Sequence, residues 1–134
     1  MRRKKGRKQP PNVDILQNLE FMIVKVYKQN PELTDFEVKK AIEALERYYK
    51  AIDRGRRPPT IRLRGRSQDV CEFVQTMCEW RLGQRVDDDW PAIEQPTSPD
   101  VIVKCLRRIK KSIDFWTQEA GIQGYLNYII NFIK

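Results

Sequence analysis

Apolar residues recur at intervals of three and four along nearly every segment of this chain, and that spacing constrains the fold more than any other feature. The spacing matches the 3.6-residue period of an α-helix with one buried face. Only residues 60–64 alternate between apolar and polar types, which is enough for no more than a short extended piece. The sequence therefore predicts an all-α fold, a single-domain bundle of four to five helices.

Capping residues and helix breakers predict where the helices begin and end. Thr34 and Glu37 have the spacing of a capping box, and Asn30-Pro31 ends the helix before it. A connection this short predicts that the first two helices form an antiparallel hairpin. We expect helices at about 13–29, 35–53, 68–82, 99–119 and 122–133, with Asn12 as the first cap and Gly83 and Gly121 as stops. They form one domain, residues 12–134, preceded by a flexible basic arm at 1–11.

The net charge of +8 is concentrated in two segments. Residues 1–11 and residues 54–66 each contain six basic residues and no acid. The second segment reads RGRRPPTIRLRGR and is named here the Arg-rich segment. Its prolines and glycines predict an exposed, partly extended connection between two helices. A mildly acidic helical body therefore carries two concentrated basic appendages.

The six arginines of this segment admit three interpretations. They could bind the phosphates of a polyanion, because a guanidinium group makes bidentate contacts with phosphate. They could instead pair within the chain, for example with Asp87, Asp88 and Asp89, or dock on an acidic surface of another protein. The segment has no aromatic residue for stacking on bases, which counts against nucleic acid. The candidate anion-binding residues are Arg54, Arg56, Arg57, Arg62, Arg64 and Arg66.

A second basic surface is expected on the fourth helix. Lys104, Arg107, Arg108 and Lys111 follow one another at helical spacing, opposite the apolar stripe of that helix. An ordinary solvated face is the alternative interpretation. If the face is used, it extends the anion-binding surface, and the basic arm adds non-specific attraction.

The composition excludes most catalytic and metal chemistry. The chain has no histidine, which removes the usual catalytic triads and most metal-ligand sets. Cys71, Cys78 and Cys105 all fall within apolar helical patterns, so we expect buried, reduced thiols of a cytoplasmic protein, or of a nuclear one in a eukaryote. Glu43 and Glu46 are expected to form surface ion pairs rather than a metal site. We expect no enzyme, no cofactor, no metal and no membrane span.

Two functions follow as hypotheses. The first is binding of an anionic macromolecule, RNA or DNA, through the Arg-rich segment and the basic arm. The second is a helical protein-interaction module, with the arginines paired internally or to an acidic partner. In that case the apolar C-terminal helix forms an interface between subunits of a homo-oligomer, through Tyr128, Phe132 and Ile133.

Overall fold

The computed structural model describes residues 11–84, 86 and 89–133, with the side chains of 11–13, 119, 120, 132 and 133 excepted. It is all-helical in that part, as predicted. The four helices are α1 (Pro11–Gln29), α2 (Asp35–Asp53), α3 (Arg66–Arg81) and α4 (Pro99–Ile133). Of the predicted basic arm, residues 1–11, residues 1–10 lie outside the described residues, and Pro11 belongs to α1 instead of to the arm.

Most predicted helix ends are confirmed to within two residues. The capping box at the start of α2 is present, with Thr34 and Glu37 bonded to each other as predicted. At the start of α1 the prediction was wrong: the helix begins at Pro11, so Asn12 lies inside it. Proline suits a first helical position because its fixed φ matches the helix and its missing N–H has no partner there in any case.

The direction of α3 relative to α2 follows from side-chain contacts at both ends. Arg66, the first residue of α3, pairs with Glu37 near the start of α2. Near the other ends of the same helices, the Tyr49 hydroxyl donates to Glu79. The two helices are therefore parallel, and the connection from Arg54 to Gly65 must cross the length of α2, roughly 28 Å at 1.5 Å per residue. Such a crossover requires an extended chain.

The remaining helices complete a four-helix bundle. Ion pairs between Lys39 and Asp114 and between Glu46 and Arg107 make α4 antiparallel to α2. Helices α1 and α2 each pack on both α3 and α4. The predicted α1–α2 hairpin is therefore wrong as a packed pair: the two helices lie diagonally across the bundle, because their wide apolar stripes face α3 and α4.

The two helices predicted at 99–119 and 122–133 are the two arms of α4. The helix continues across Gly121, but this glycine has φ +71°, far outside the helical region. The rings of Trp116 and Tyr128 stack with centroids 5.1 Å apart, whereas a straight helix would separate these residues by about 18 Å along its axis. The chain therefore bends sharply at the residue that the sequence marks as a stop.

The second arm of α4 packs against α1 through a buried polar contact. Tyr125 and Leu126 are fully buried, and the Tyr125 hydroxyl donates to Glu20 over 3.0 Å. Glu20 is only 5% exposed, and it is the one buried acidic residue among those described. Burial raises the pKa of this carboxyl group, although the Tyr125 hydrogen bond and the charge of Arg108 act to lower it.

Candidate functional site

The Arg-rich segment lies on the surface of the bundle with its side chains alternating between core and solvent. Ile61 and Leu63 are half-buried and pack against the core, whereas Arg62 and Arg64 are exposed. This is the alternation noted in the sequence, although no strand forms in the described part of the chain. Successive side chains of an extended chain point to opposite sides, so anchoring the two apolar residues directs the arginines outward.

Five of the six arginines have no acidic partner within the described residues. Arg54, Arg56, Arg57, Arg62 and Arg64 are all exposed, and none forms an ion pair with a described acid. Two of the acids considered as internal partners, Asp87 and Asp88, lie outside the described residues. Asp89 is described and has an interaction of its own.

Arg66 differs from the other five. It belongs to α3 rather than to the connection, and its guanidinium contacts Glu32 at 3.2 Å and Glu37 at 3.4 Å. Burial acts to raise the pKa of Glu37, but hydrogen bonds from Thr34 and the charge of Arg66 hold it below its usual value. Arg66 therefore fits the internal-pairing interpretation, and it holds the start of α3 against the start of α2.

A groove lies between the start of α2 and the end of the Arg-rich segment. Its volume is about 540 Å³. It is named here the Phe36 groove, and its lining residues are Thr34, Phe36, Glu37, Lys40, Arg62, Leu63, Arg64, Arg66 and Ser67. The Phe36 side chain is 65% exposed, and the Lys40 ammonium lies 5.5 Å from the centre of its ring. The Arg-rich segment has no aromatic residue of its own, but Phe36 of α2 lies beside its arginines in this groove.

Sequence reasoning missed Phe36, although a signal for it was present. The buried stripe of α2 includes Val38, Ala41, Ile42 and Leu45. Phe36 precedes Val38 by two residues, which places it about 200° around the helix from that stripe. An aromatic residue on the polar face of an amphipathic helix is the pattern that could have been recognised.

The predicted basic face of α4 is present, and all four of its side chains are exposed. Arg107 contacts Glu46 at 2.9 Å, and the neighbouring Lys110 contacts Glu43 at 3.1 Å. The expectation that Glu43 and Glu46 form surface ion pairs is thereby confirmed. Lys104, Arg108 and Lys111 form no ion pair with a described acid. Surface pairs of this kind, whose partners are partly exposed, contribute little, about 0–1 kcal/mol each.

A smaller cavity brings the Arg-rich segment and the α4 face together. It has a volume of about 230 Å³, and its lining residues are Lys50, Asp53, Arg54, Asp100, Val103, Lys104 and Arg107. We name it the Arg54 cavity. The Ser98 hydroxyl and the nearby Lys104 lower the pKa of Asp100, so this carboxylate offsets part of the positive charge. Arg108 and Lys111 do not line this cavity.

The predicted interface at the C-terminus is only partly described. Tyr128 is 40% exposed and stacks on Trp116, and the adjacent Phe115 is 59% exposed. An open groove of about 430 Å³ lies between the arms of α4, lined in part by Trp116 and Tyr128. The side chains of Phe132 and Ile133 lie outside the described residues.

The three cysteines are buried, and none of them forms a disulfide bond. Burial raises the pKa of Cys71 and of Cys105 to about 11, and that of Cys78 well above its usual value. All three thiols are therefore protonated at neutral pH, the unreactive form. No group of three or more potential metal ligands occurs among the described residues.

Comparison with known proteins gives no relative from which a function could be transferred. No protein-family model, curated protein or solved structure matches the sequence. Within the part of the chain that the structure describes, none of the helices combines the length and apolar character that crossing a bilayer requires.

Proposed function

We propose that this protein binds nucleic acid through a basic surface made by the Arg-rich segment and the N-terminal half of α4. One observation carries the proposal: five exposed arginines of one segment have no acidic partner within the described residues. Exposed guanidinium groups that no described carboxylate neutralises remain available to an anionic ligand, and they raise the local positive potential that attracts one.

The choice of arginine over lysine in this segment supports phosphate as the ligand. All six basic residues of the segment are arginine, the side chain whose planar fork binds phosphate oxygens in pairs. The Arg54 cavity extends the surface from Arg54 to Lys104, beside Arg107, whose guanidinium also pairs with Glu46. Two elements distant in sequence therefore present cations side by side. A polyanion long enough to contact both elements gains binding free energy from each of them.

The proposal predicts a steep salt dependence. Binding of a fluorescent mixed-sequence RNA, and of a DNA duplex, is measured by anisotropy across a salt series. If four or five arginines each displace a counterion, a logarithmic plot of affinity against salt should fall with a slope of about −3 to −4. A peptide nucleic acid of the same sequence, which has no phosphates, is the control and should not bind. If the chain binds neither the RNA nor the DNA duplex at about 50 mM salt, the proposal is refuted.

A second candidate function is self-association through the bend of α4. Phe115, Trp116 and Tyr128 form an aromatic cluster there, in which Phe115 is 59% exposed and Tyr128 40%. Exposed aromatic side chains close together are typical of protein interfaces.

Sedimentation equilibrium distinguishes this candidate. If it is correct, the chain dimerises as its concentration rises, and the double variant Phe115→Ser/Tyr128→Ser weakens dimerisation by at least about tenfold. Phe21→Ser is the matched control, because Phe21 is an exposed aromatic residue on a different helix, α1. A strict monomer at millimolar concentration would exclude the interface.

A further inference from the structure

We propose that the Phe36 groove binds an unpaired nucleotide, with a base stacked on Phe36 and its phosphates contacted by Arg62 and Arg64. This inference rests on the proposed function and names its ligand class, which is single-stranded rather than duplex nucleic acid.

The aromatic platform is the first step of the inference. Phe36 is 65% exposed, and within the described residues its ring is contacted by the ammonium of Lys40 on one side. It stands in the first turn of α2, where the capping box of Thr34 and Glu37 fixes the backbone. A phenylalanine has two side-chain torsions, so little freedom is lost when a flat ring stacks on it.

The charge of the groove is the second step. Lys40, Arg62, Arg64 and Arg66 line it, against the single carboxylate of Glu37. That carboxylate already accepts hydrogen bonds from Thr34 and contacts Arg66. The charges left for a ligand are therefore cationic.

These two properties together identify the ligand chemistry. A free phosphate would use the cations but not the ring, and an acidic peptide would use both only where an aromatic residue accompanies its carboxylates. A nucleotide carries both a planar base and a phosphate, separated by one sugar. The groove volume of about 540 Å³ lies within the usual range for sites that enclose a small organic ligand, about 300–1,000 Å³.

The need for an accessible base face excludes the duplex. In a double helix each base is stacked between its neighbours, so Phe36 could reach a face only by unstacking the pair. In a single strand the bases are free to splay outward onto aromatic side chains. Phosphate contacts alone would not discriminate between the two forms.

The test uses a matched pair of phenylalanines. Phe21 and Phe36 are both exposed on helices, and each has a lysine four residues later whose ammonium lies over the ring, at 5.7 Å and 5.5 Å. Only Phe36 lines the basic groove. Phe21→Ala therefore removes an equivalent ring without touching the proposed site.

Anisotropy is measured with three fluorescent probes at one fixed salt concentration: oligo-uridine RNA, oligo-thymidine DNA, and a duplex of equal length. The native chain should bind at least one single strand about tenfold or more tightly than the duplex. Phe36→Ala should weaken single-strand binding by about 10- to 100-fold, leave duplex binding unchanged, and leave the salt slope unchanged. Phe36→Trp should restore binding, and Phe21→Ala should have no effect. The two single-stranded probes distinguish RNA from DNA.

Equal affinity for single strand and duplex, or full single-strand binding by Phe36→Ala, would overturn this inference and leave the proposed function intact. Failure of the native chain to bind any of the three probes would overturn the proposed function as well. Circular dichroism verifies that each variant is folded, and the exposure of both rings makes loss of the fold unexpected.

Discussion

Replacement of Arg56, Arg62 and Arg64 by glutamate should abolish nucleic-acid binding while leaving the helices intact. Each arginine is exposed and forms no ion pair with a described acid, so the substitutions break no ion pair within the described residues. Under the proposed function, each substitution would remove a phosphate contact and place a negative charge beside the polyanion. We expect affinity at low salt to fall by about a thousandfold or more, and the salt slope to become shallower by about 2 to 3.

Two controls separate local contacts from net charge. Lys25→Glu/Lys28→Glu reverses two exposed charges on α1 that line neither the Phe36 groove nor the Arg54 cavity, and should weaken binding by only a few-fold. Replacement of the three arginines by lysine keeps the charge but loses the bidentate geometry, so binding should weaken about tenfold. Retained binding in the glutamate variant, with an unchanged circular dichroism spectrum, would show that the Arg-rich segment is not the contact surface.

The second large effect concerns the buried contact between Glu20 and Tyr125. Tyr125→Phe removes the hydroxyl that donates to Glu20 and leaves a carboxylate buried without that hydrogen bond. We expect the free energy of unfolding at neutral pH to fall by about 1–3 kcal/mol, measured by urea denaturation. An equal loss in the Glu20→Gln background would contradict this account, because the coupling between the two side chains would then be absent.

The same contact predicts the sign of a pH dependence. The pKa of Glu20 is raised in the folded state, so between its unfolded value of 4.5 and the higher folded value the folded chain binds the extra proton. Stability contributed by this group is therefore greatest below 4.5 and is lost as the pH rises through the folded pKa. Glu37 and Asp100 have lowered pKa values in the folded state, so their contribution to stability has the opposite pH dependence. It is present above their unfolded pKa values and is lost as the pH falls through the folded ones.

Glu20→Gln separates these contributions. The variant should be more stable than the native chain at pH 8, and its stability should vary less between pH 5 and pH 8. The charged or titratable groups that act on Glu20 are Tyr125 and Arg108, and neither is changed by the substitution. Thermal unfolding across that pH range measures the difference. Parallel pH profiles for the two chains would show that Glu20 is not the group responsible.

Local sequence signals predicted most of the helices. The bounds of α2 follow from the capping box at Thr34 and from the apolar stripe that begins at Val38, both of which act within a few residues. Pro99 and Gly83 mark the start of α4 and the end of α3 in the same way. Such signals depend on backbone hydrogen bonds and steric limits, which neighbouring residues determine.

The arrangement of the helices could not be predicted in this way. A short connection fixes the relative direction of α1 and α2, but which helices pack together depends on how all the apolar stripes are buried at once. The parallel pairing of α2 and α3 brings Arg66 to Glu37. It also brings Arg62 and Arg64 to Phe36, which is why the aromatic part of the candidate site was missed.

If the proposed function is correct, the crossover of the Arg-rich segment lowers the entropy cost of binding a nucleic acid. Folding has already ordered this backbone, because Ile61 and Leu63 hold it against the core between two fixed helix ends. Ordering the backbone of a free chain costs about 1–2 kcal/mol per residue in conformational entropy. Here that cost arises when the protein folds and not when a ligand binds. Under the proposed function, an approaching strand would meet exposed arginines on an ordered backbone, whereas a disordered basic tail would have to become ordered around each ligand.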